Sequence, residues 1–209
     1  MLTEARVREL LFPLELNLTP TQVGRILTYL DLLERWNRKI NLTAVREPEA
    51  CVTRHFGESL YLARSMELEG RLLDIGSGAG FPGLALKIEF PALAVTLLEP
   101  IAKKRAFLKE VVRACEMKMV EVVGDRLEDF ARRSPPAFFD TATARAVGGL
   151  EDLVSLASRC LKPSGRIVLW LSEKQASRLP AMESCIAWDP PIPLPHHGVI
   201  CCGRPECST

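Results

Sequence analysis

This chain of 209 residues predicts a doubly wound α/β fold: a mostly parallel sheet with helices on both faces and a helical extension ahead of it. Three observations carry the prediction. From Arg71 onward, short apolar runs alternate with amphipathic stretches, the pattern of parallel strands joined by right-handed crossovers. The first of those runs leads directly into a glycine loop, LLDIGSGAGFPGL at residues 72–84. The residues ahead of it carry a helical rather than a strand period.

Each element follows from local signals. Thr19 precedes Pro20, a helix start with proline in the first turn. Val23, Ile26, Leu27, Leu30, Leu33 and Trp36 then recur at helical spacing. That pattern breaks over residues 37–42 and resumes over 49–66. Strands are expected at 71–75, 94–99, 120–124, 138–145 and 166–171, with a last strand at 198–202. Helices are expected after Pro82 and over 101–117 and 150–161, with a turn at 162–165. No linker composition separates the two regions. The expected division is a helical extension, 1–67, packed on a sheet domain, 68–209.

Composition narrows the class. With 47% apolar and 25% charged residues, the chain has enough material for a real core. A net charge of +1 neither demands nor excludes a nucleic-acid partner. No apolar run approaches the roughly 20 residues of a membrane span, and the N-terminal stretch lacks the apolar core of a signal peptide. A cytoplasmic protein is expected, with no membrane association and no obligate protein partner, acting as a monomer. The seven cysteines then read mostly as buried thiols. His196, His197, Cys201, Cys202 and Cys207 crowd the tail, but their spacing matches no common zinc motif, and a plain last strand is the expectation.

The glycine loop points to a nucleoside. Gly76, Gly78 and Gly80 allow a tight turn and close approach of backbone to ligand. Glu99, 23 positions after Gly76, closes the second strand, where a carboxylate accepts ribose hydroxyls. Gly78, Gly80 and Gly83 also spell the dinucleotide pattern G-x-G-x-x-G, which alone is weak. Asp74 argues against a dinucleotide, because its carboxylate would repel a pyrophosphate. The ammonium and sulfonium of S-adenosylmethionine would be favoured instead. The expectation is therefore a Rossmann-like fold that binds S-adenosylmethionine. A glycine loop with no ligand is the bland alternative.

Beyond the third strand, GDRLEDF at residues 124–130 borders the switch-point crevice of an open sheet. The backbone amides of Leu127 and Glu128 are placed to read an adenine edge. Arg126 and Arg145 end neighbouring strands at the same crevice and are expected to meet substrate phosphate. Surface ion pairing is their default alternative.

These residues carry a family resemblance. WNRKINLTAVREP (residues 36–48), RHFGES (54–59), the glycine loop, LLEPIAKKRAFL (97–108), GDRLEDF and ARAVGGLEDLV (144–154) occur in that order. Together they resemble the GidB/RsmG family of small-subunit ribosomal RNA methyltransferases, over roughly residues 20–170. The resemblance implies methylation of N7 of a guanine in 16S ribosomal RNA, on the small subunit or an assembly intermediate. It places cofactor contacts on Gly76, Phe81, Leu127, Glu128 and Arg145, with Glu99 at the ribose. Substrate contacts fall on Arg126 and the cluster Lys103, Lys104 and Arg105. Two departures stand out: Leu171 and Ser172 occupy the place of a usual lysine after the fifth strand, and the tail reads VICCGRPECST where the family is basic.

The expected chemistry is positioning. Guanine N7 already bears an unprotonated in-plane lone pair, so transfer from a sulfonium needs alignment and no general base. No Cys, His or Asp forms a nucleophile-plus-base arrangement near the loop, and no catalytic residue or metal is expected. His55 is read as a structural hydrogen-bonding residue. Between Lys103 and Arg145, ten Lys/Arg face seven Asp/Glu, a modest excess that a solvated face would also show. Two alternatives stay open: a small-molecule methyltransferase with the N-terminal helices as a lid, and a non-enzymatic RNA-binding or assembly protein that keeps the fold.

Overall fold

The computed structural model describes residues 2–145, 148–181 and 186–206. It opens with α1 (Glu4–Leu11) and α2 (Pro20–Asn37). A continuous helical run follows: α3 (Pro48–Cys51), a π-helical turn (Val52–Gly57), α4 (Glu58–Leu60) and a 3-10 turn (Tyr61–Arg64). The start of α2 is set by a capping box. The Thr19 hydroxyl accepts the Gln22 amide at 3.3 Å and the Gln22 side chain accepts the Thr19 amide at 2.7 Å. Its apolar stripe of Val23, Ile26, Tyr29, Leu30 and Leu33 is buried.

The sheet domain then alternates β1 (Arg71–Ile75), α5 (Gly83–Glu89), β2 (Ala94–Leu98), α6 (Ala102–Ala114), β3 (Val120–Val123), α7 (Leu127–Arg133), β4 (Phe139–Arg145), α8 (Leu150–Cys160) and β5 (Leu161–Leu171). Last come α9 (Glu173–Ala176), β6 (Ile186–Trp188), β7 (Ile192–Pro193) and β8 (Val199–Pro205). Strand order is β3-β2-β1-β4-β5-β8-β6, with β7 also on β8. The first five strands are parallel and β8 is antiparallel to β5. Because β2 and β4 flank β1 on opposite sides, the chain reverses direction across the sheet at β1 and β4. A crevice opens at their carboxyl ends.

The α/β fold is as expected, but Arg126 and Arg145 do not follow neighbouring strands, because β2 and β1 lie between β3 and β4; the other departures have local causes. The helix predicted to run to residue 117 ends at Ala114, because Glu116 takes a left-handed φ of 50°. The turn expected at 162–165 lies inside β5. Leu161 pairs with Phe139 and Arg166 already pairs with Thr141, so the residues between bulge outward. The last strand runs past Cys202 to Pro205. Short α7, β6 and β7 were not anticipated, since seven, three and two residues carry too few positions to establish a period.

Two apolar clusters cover the two faces. One joins Val7, Ile26, Tyr29 and Phe56 of the N-terminal helices to Leu84, Phe107 and Val168. The other joins Leu73, Ala142 and Leu169 to Leu153, Val154 and Ala157 of α8. Cys51, Cys115, Cys160, Cys201 and Cys202 are buried free thiols, with Cys201 and Cys202 pushed up to about 11 by burial. These two neighbours belong to opposite clusters, Cys202 to the first and Cys201 to the second. Alternation along a strand thus prevents the pair from sharing one ion. Cys185 and Cys207 lie outside the described residues. Among the described residues, no helix is long and apolar enough to cross a membrane.

Candidate active site: the crevice at the carboxyl ends of β1, β2 and β4

The loop after β1 is shaped by glycines that no other residue replaces cheaply. Gly76, Gly78 and Gly80 have φ of 67°, 56° and 90°, the left-handed region that a Cβ disfavours. A Cβ on Gly80 would collide with the Tyr29 hydroxyl. At Gly78 the nearest atom to such a Cβ is the Gly76 carbonyl oxygen at 3.7 Å, so that face of the loop is open. Gly83 serves closeness of another kind: a Cβ there would lie 2.7 Å from Asp74 Oδ2.

Helices that precede the sheet hold this loop. Tyr29, fully buried, donates its hydroxyl to the Ala79 carbonyl. Its ring stacks on Phe81 at 5.2 Å between centroids, and Phe81 also stacks on His55 at 4.9 Å. The Phe81 ring is thus committed to an aromatic cluster, and what it offers a ligand is backbone. His55 Nε2 lies 2.7 Å from the Thr43 hydroxyl. Burial, reinforced by the neighbouring Arg145 and Arg54, pushes the imidazole down to about 4, so it is neutral at pH 7.

Glu99 latches the loop from the other side. Its Oε2 accepts the Gly78 amide and its Oε1 accepts the Ile101 amide, each at 2.8 Å. The buried carboxylate therefore ties the glycine loop to the β2–α6 turn, and each oxygen keeps a second lone pair for a ligand. Asp74 is fully buried beneath the loop. Its Oδ1 accepts the Thr143 hydroxyl at 2.8 Å, while Oδ2 has no partner. Burial pushes this carboxyl up to about 6, against the opposing hydrogen bonds.

Arg145 ends β4, one residue after Ala144, which pairs with Ile75. Its Nη2 donates to the Glu58 carboxylate and, at 3.0 Å, to the Arg54 carbonyl. Nη1 is buried without a partner. Burial lowers the guanidinium's affinity for its proton, opposed by Glu58. The π-helical turn Val52–Gly57 supplies Arg54 and His55 and leads into Glu58. Such a turn is frequent at functional sites. Nothing in the sequence period announces this turn or the role of Glu58, while Tyr29 carries in sequence only the signal of a buried position on α2.

The remaining expected residues divide. Arg126 is the exposed N-terminal cap residue of α7, and Leu127 and Glu128 form its first turn with amides free of intrahelical partners. Lys103 is exposed and Lys104 half-buried at the start of α6. Arg105 turns inward, its Nη1 donating to the Glu99 and Pro100 carbonyls at 3.0 and 2.7 Å. At the end of β5, Leu171 is buried and Ser172 caps α9 in a second capping box.

A parallel sheet reversing at β1 and β4, with a glycine loop and a buried acid after β2, defines the class of Rossmann-like methyltransferases. The fold matches a SAM-dependent methyltransferase from Aquifex aeolicus with a TM-score of 0.60, over 73% of this chain and 92% of that one, at 15% identity. It also matches P. horikoshii TYW2, solved in complex with MeSAdo, with a TM-score of 0.59 over 72% and 62% of the two chains, at 14% identity. Within that class, residues 22–189 match the family model GidB, rRNA small subunit methyltransferase G, and the chain belongs to this family. A Chloroflexus aggregans protein named ribosomal RNA small subunit methyltransferase G is 42% identical over 72% of this chain and 64% of its own length. Its namesake from Alkaliphilus oremlandii is 35% identical over 83% of this chain and 74% of its own length. The chain thus spans somewhat less than two thirds of the first relative and about three quarters of the second.

Proposed function

We propose that this protein transfers the methyl group of S-adenosylmethionine to N7 of a guanine in 16S ribosomal RNA of the small subunit. The observation that carries the reading is the pair of unpartnered buried atoms at the glycine loop, Asp74 Oδ2 and Arg145 Nη1, in a chain of this family. A buried carboxylate and a buried guanidinium beside the loop, each with one unsatisfied atom, suit a zwitterionic ligand better than a pyrophosphate. When bound, S-adenosylmethionine supplies an electrophilic methyl on a sulfonium.

The chain's part is to align. Asp74 offers a carboxylate to the cationic end, and the positive-φ loop around Gly76 and Gly78 brings backbone amides to the ligand. Glu99 offers its spare lone pairs to the ribose, and the Leu127 and Glu128 amides stand where an adenine edge would lie. Arg145, at the end of β4, serves both cofactor and substrate, while exposed Arg126 and Lys103 and half-buried Lys104 meet RNA phosphate. Guanine N7 brings its own lone pair, so no residue need remove a proton. The neutral His55, bonded to Thr43, is consistent with that economy. The N-terminal helices, residues 1–67, serve as an extension packed on the methyltransferase domain, 68–209. They lie against a sheet face rather than hanging free as a lid, which favours a large substrate over an enclosed metabolite. A ribosomal RNA substrate supports a cytoplasmic location, and the protein is proposed to act there as a monomer.

The test is methyl transfer from labelled S-adenosylmethionine to small ribosomal subunits, naked 16S RNA and a metabolite extract, with the product mapped for N7-methylguanine. Label in the metabolite fraction alone, or cofactor binding without transfer to any fraction, would overturn the reading.

A further inference from the structure

A second polar cleft opens beside the site. It is about 440 Å³ in volume and lies between residues 37–46 and the start of α6. Arg38, Lys39, Arg46, Lys103 and Lys104 line it with Asn37, Ile40, Asn41 and Ile101, and no carboxylate is among its lining residues. Arg38 is paired with Glu34 at 3.0 Å. The other four cations form no ion pair among the described residues.

This wall is rigid. Asn37, almost fully buried, accepts the Leu42 and Thr43 amides at 3.0 and 3.2 Å and donates to the Thr43 carbonyl at 3.0 Å. The Trp36 indole donates to Glu110 at 2.7 Å, which pins the end of α2 to α6. The cations thus project from a fixed backbone frame that keeps their points of attachment close together. The cleft also adjoins the cofactor loop: Ile101, on its wall, gives its amide to Glu99, whose other oxygen holds Gly78.

We propose that this cleft binds the phosphodiester backbone of the substrate RNA on one flank of the target nucleotide, with Lys39 and Arg46 as contacts in addition to Lys103 and Lys104. The inference rests on the ribosomal RNA reading above. Four uncompensated cations converging without an acid lower stability slightly unless a polyanion meets them, and a phosphate chain meets several at once. The fixed loop adds little ordering cost on binding.

The test compares wild type with the double variant Lys39→Ala/Arg46→Ala, both exposed positions, in binding to a 16S RNA transcript across a salt series. Loss of two phosphate contacts should weaken binding at least tenfold at low salt. The slope of log K against log salt should shrink by about 1.4, at roughly 0.7 per single-strand contact. The affinity for S-adenosylhomocysteine should stay as in wild type, and the melting temperature should stay level or rise slightly as the repulsion is relieved. The charge-keeping pair Lys39→Arg/Arg46→Lys should restore the slope. Unchanged slope and affinity in the alanine pair, with wild type binding RNA, would overturn the cleft and leave the methyltransferase reading standing. Wild type that binds no RNA at any salt would overturn both. Displacement of RNA by polyglutamate at equal charge concentration would show that the cleft takes any polyanion, and would also overturn the proposal.

Discussion

Both faces of the sheet are buried, but by different means. On one, α8 meets the strands through Leu150, Leu153, Val154, Ala157 and Cys160, an apolar stripe that excludes water. On the other, the N-terminal helices add polar and aromatic contacts aimed at backbone. The Tyr29 hydroxyl reaches the Ala79 carbonyl, Gln22 Nε2 reaches the Ile88 and Glu89 carbonyls at 3.2 Å, and Tyr29 and His55 stack on Phe81. Apolar burial is non-directional and stabilises many loop conformations alike, whereas a hydrogen bond to one carbonyl selects one. The helices ahead of the sheet are therefore part of the site's construction.

The sharpest test sets one face against the other. Tyr29→Ala and Leu153→Ala should each cost several kcal/mol of global stability, about 3–5 for the aromatic and about 2–5 for the leucine, by denaturant titration. Only Tyr29→Ala should also weaken S-adenosylhomocysteine in calorimetry at a temperature where both variants are folded. Equal affinities in the two would dissolve the distinction between faces.

Asp74→Asn probes the charge buried under the loop. Its folded pKa of about 6 stands above the ordinary 3.8, so the native state binds the proton more tightly and wild type loses stability as pH rises from about 4 to 6. Above pH 6 the asparagine variant should be more stable by about 3 kcal/mol without ligand, from about two pKa units. The two proteins should converge below pH 4. His55 works oppositely. Its folded pKa is lowered to about 4, so the native state loses stability as pH falls from about 6.5 to 4. The measurement is therefore the difference between the two proteins at each pH, and parallel melting curves would contradict the assignment. The same variant should bind S-adenosylhomocysteine more weakly.

Gly78→Val comes next, with at least a hundredfold loss of affinity, about 2.7 kcal/mol or more. The fold should survive with some loss of stability, because the left-handed φ of 56° strains valine although a Cβ there meets no protein atom nearer than 3.7 Å. A titration with wild-type affinity would move the ligand elsewhere. Arg126→Ala should have the smallest effect. It is exposed, so stability and cofactor binding should change by less than about 1 kcal/mol, while the salt slope of RNA binding falls by about 0.7. Arg145→Lys, by contrast, should lower both cofactor and RNA affinity, since a point charge cannot keep Glu58, the Arg54 carbonyl and a ligand together. An unchanged salt slope in Arg126→Ala, and unchanged cofactor and RNA affinities in Arg145→Lys, would leave both arginines as structural residues.

Local chemistry was enough for much of this. Thr19-Pro20 with Gln22 specified where α2 begins, the strand alternation specified the parallel sheet, and glycines at 76, 78 and 80 specified a turn that only they adopt. These signals are short-range: a cap, a period and a φ angle depend on neighbours within a turn or two. Tertiary structure alone decided which distant groups meet. It put Tyr29 under Ala79, stacked His55 on Phe81, closed Glu58 on Arg145 through an unforeseen π-helical turn, and turned Arg105 inward while Lys39 and Arg46 joined Lys103 at a common cleft. Those pairings span up to 87 positions. No local period encodes them, because they follow from how helices and strands seat on one another once apolar surface is buried.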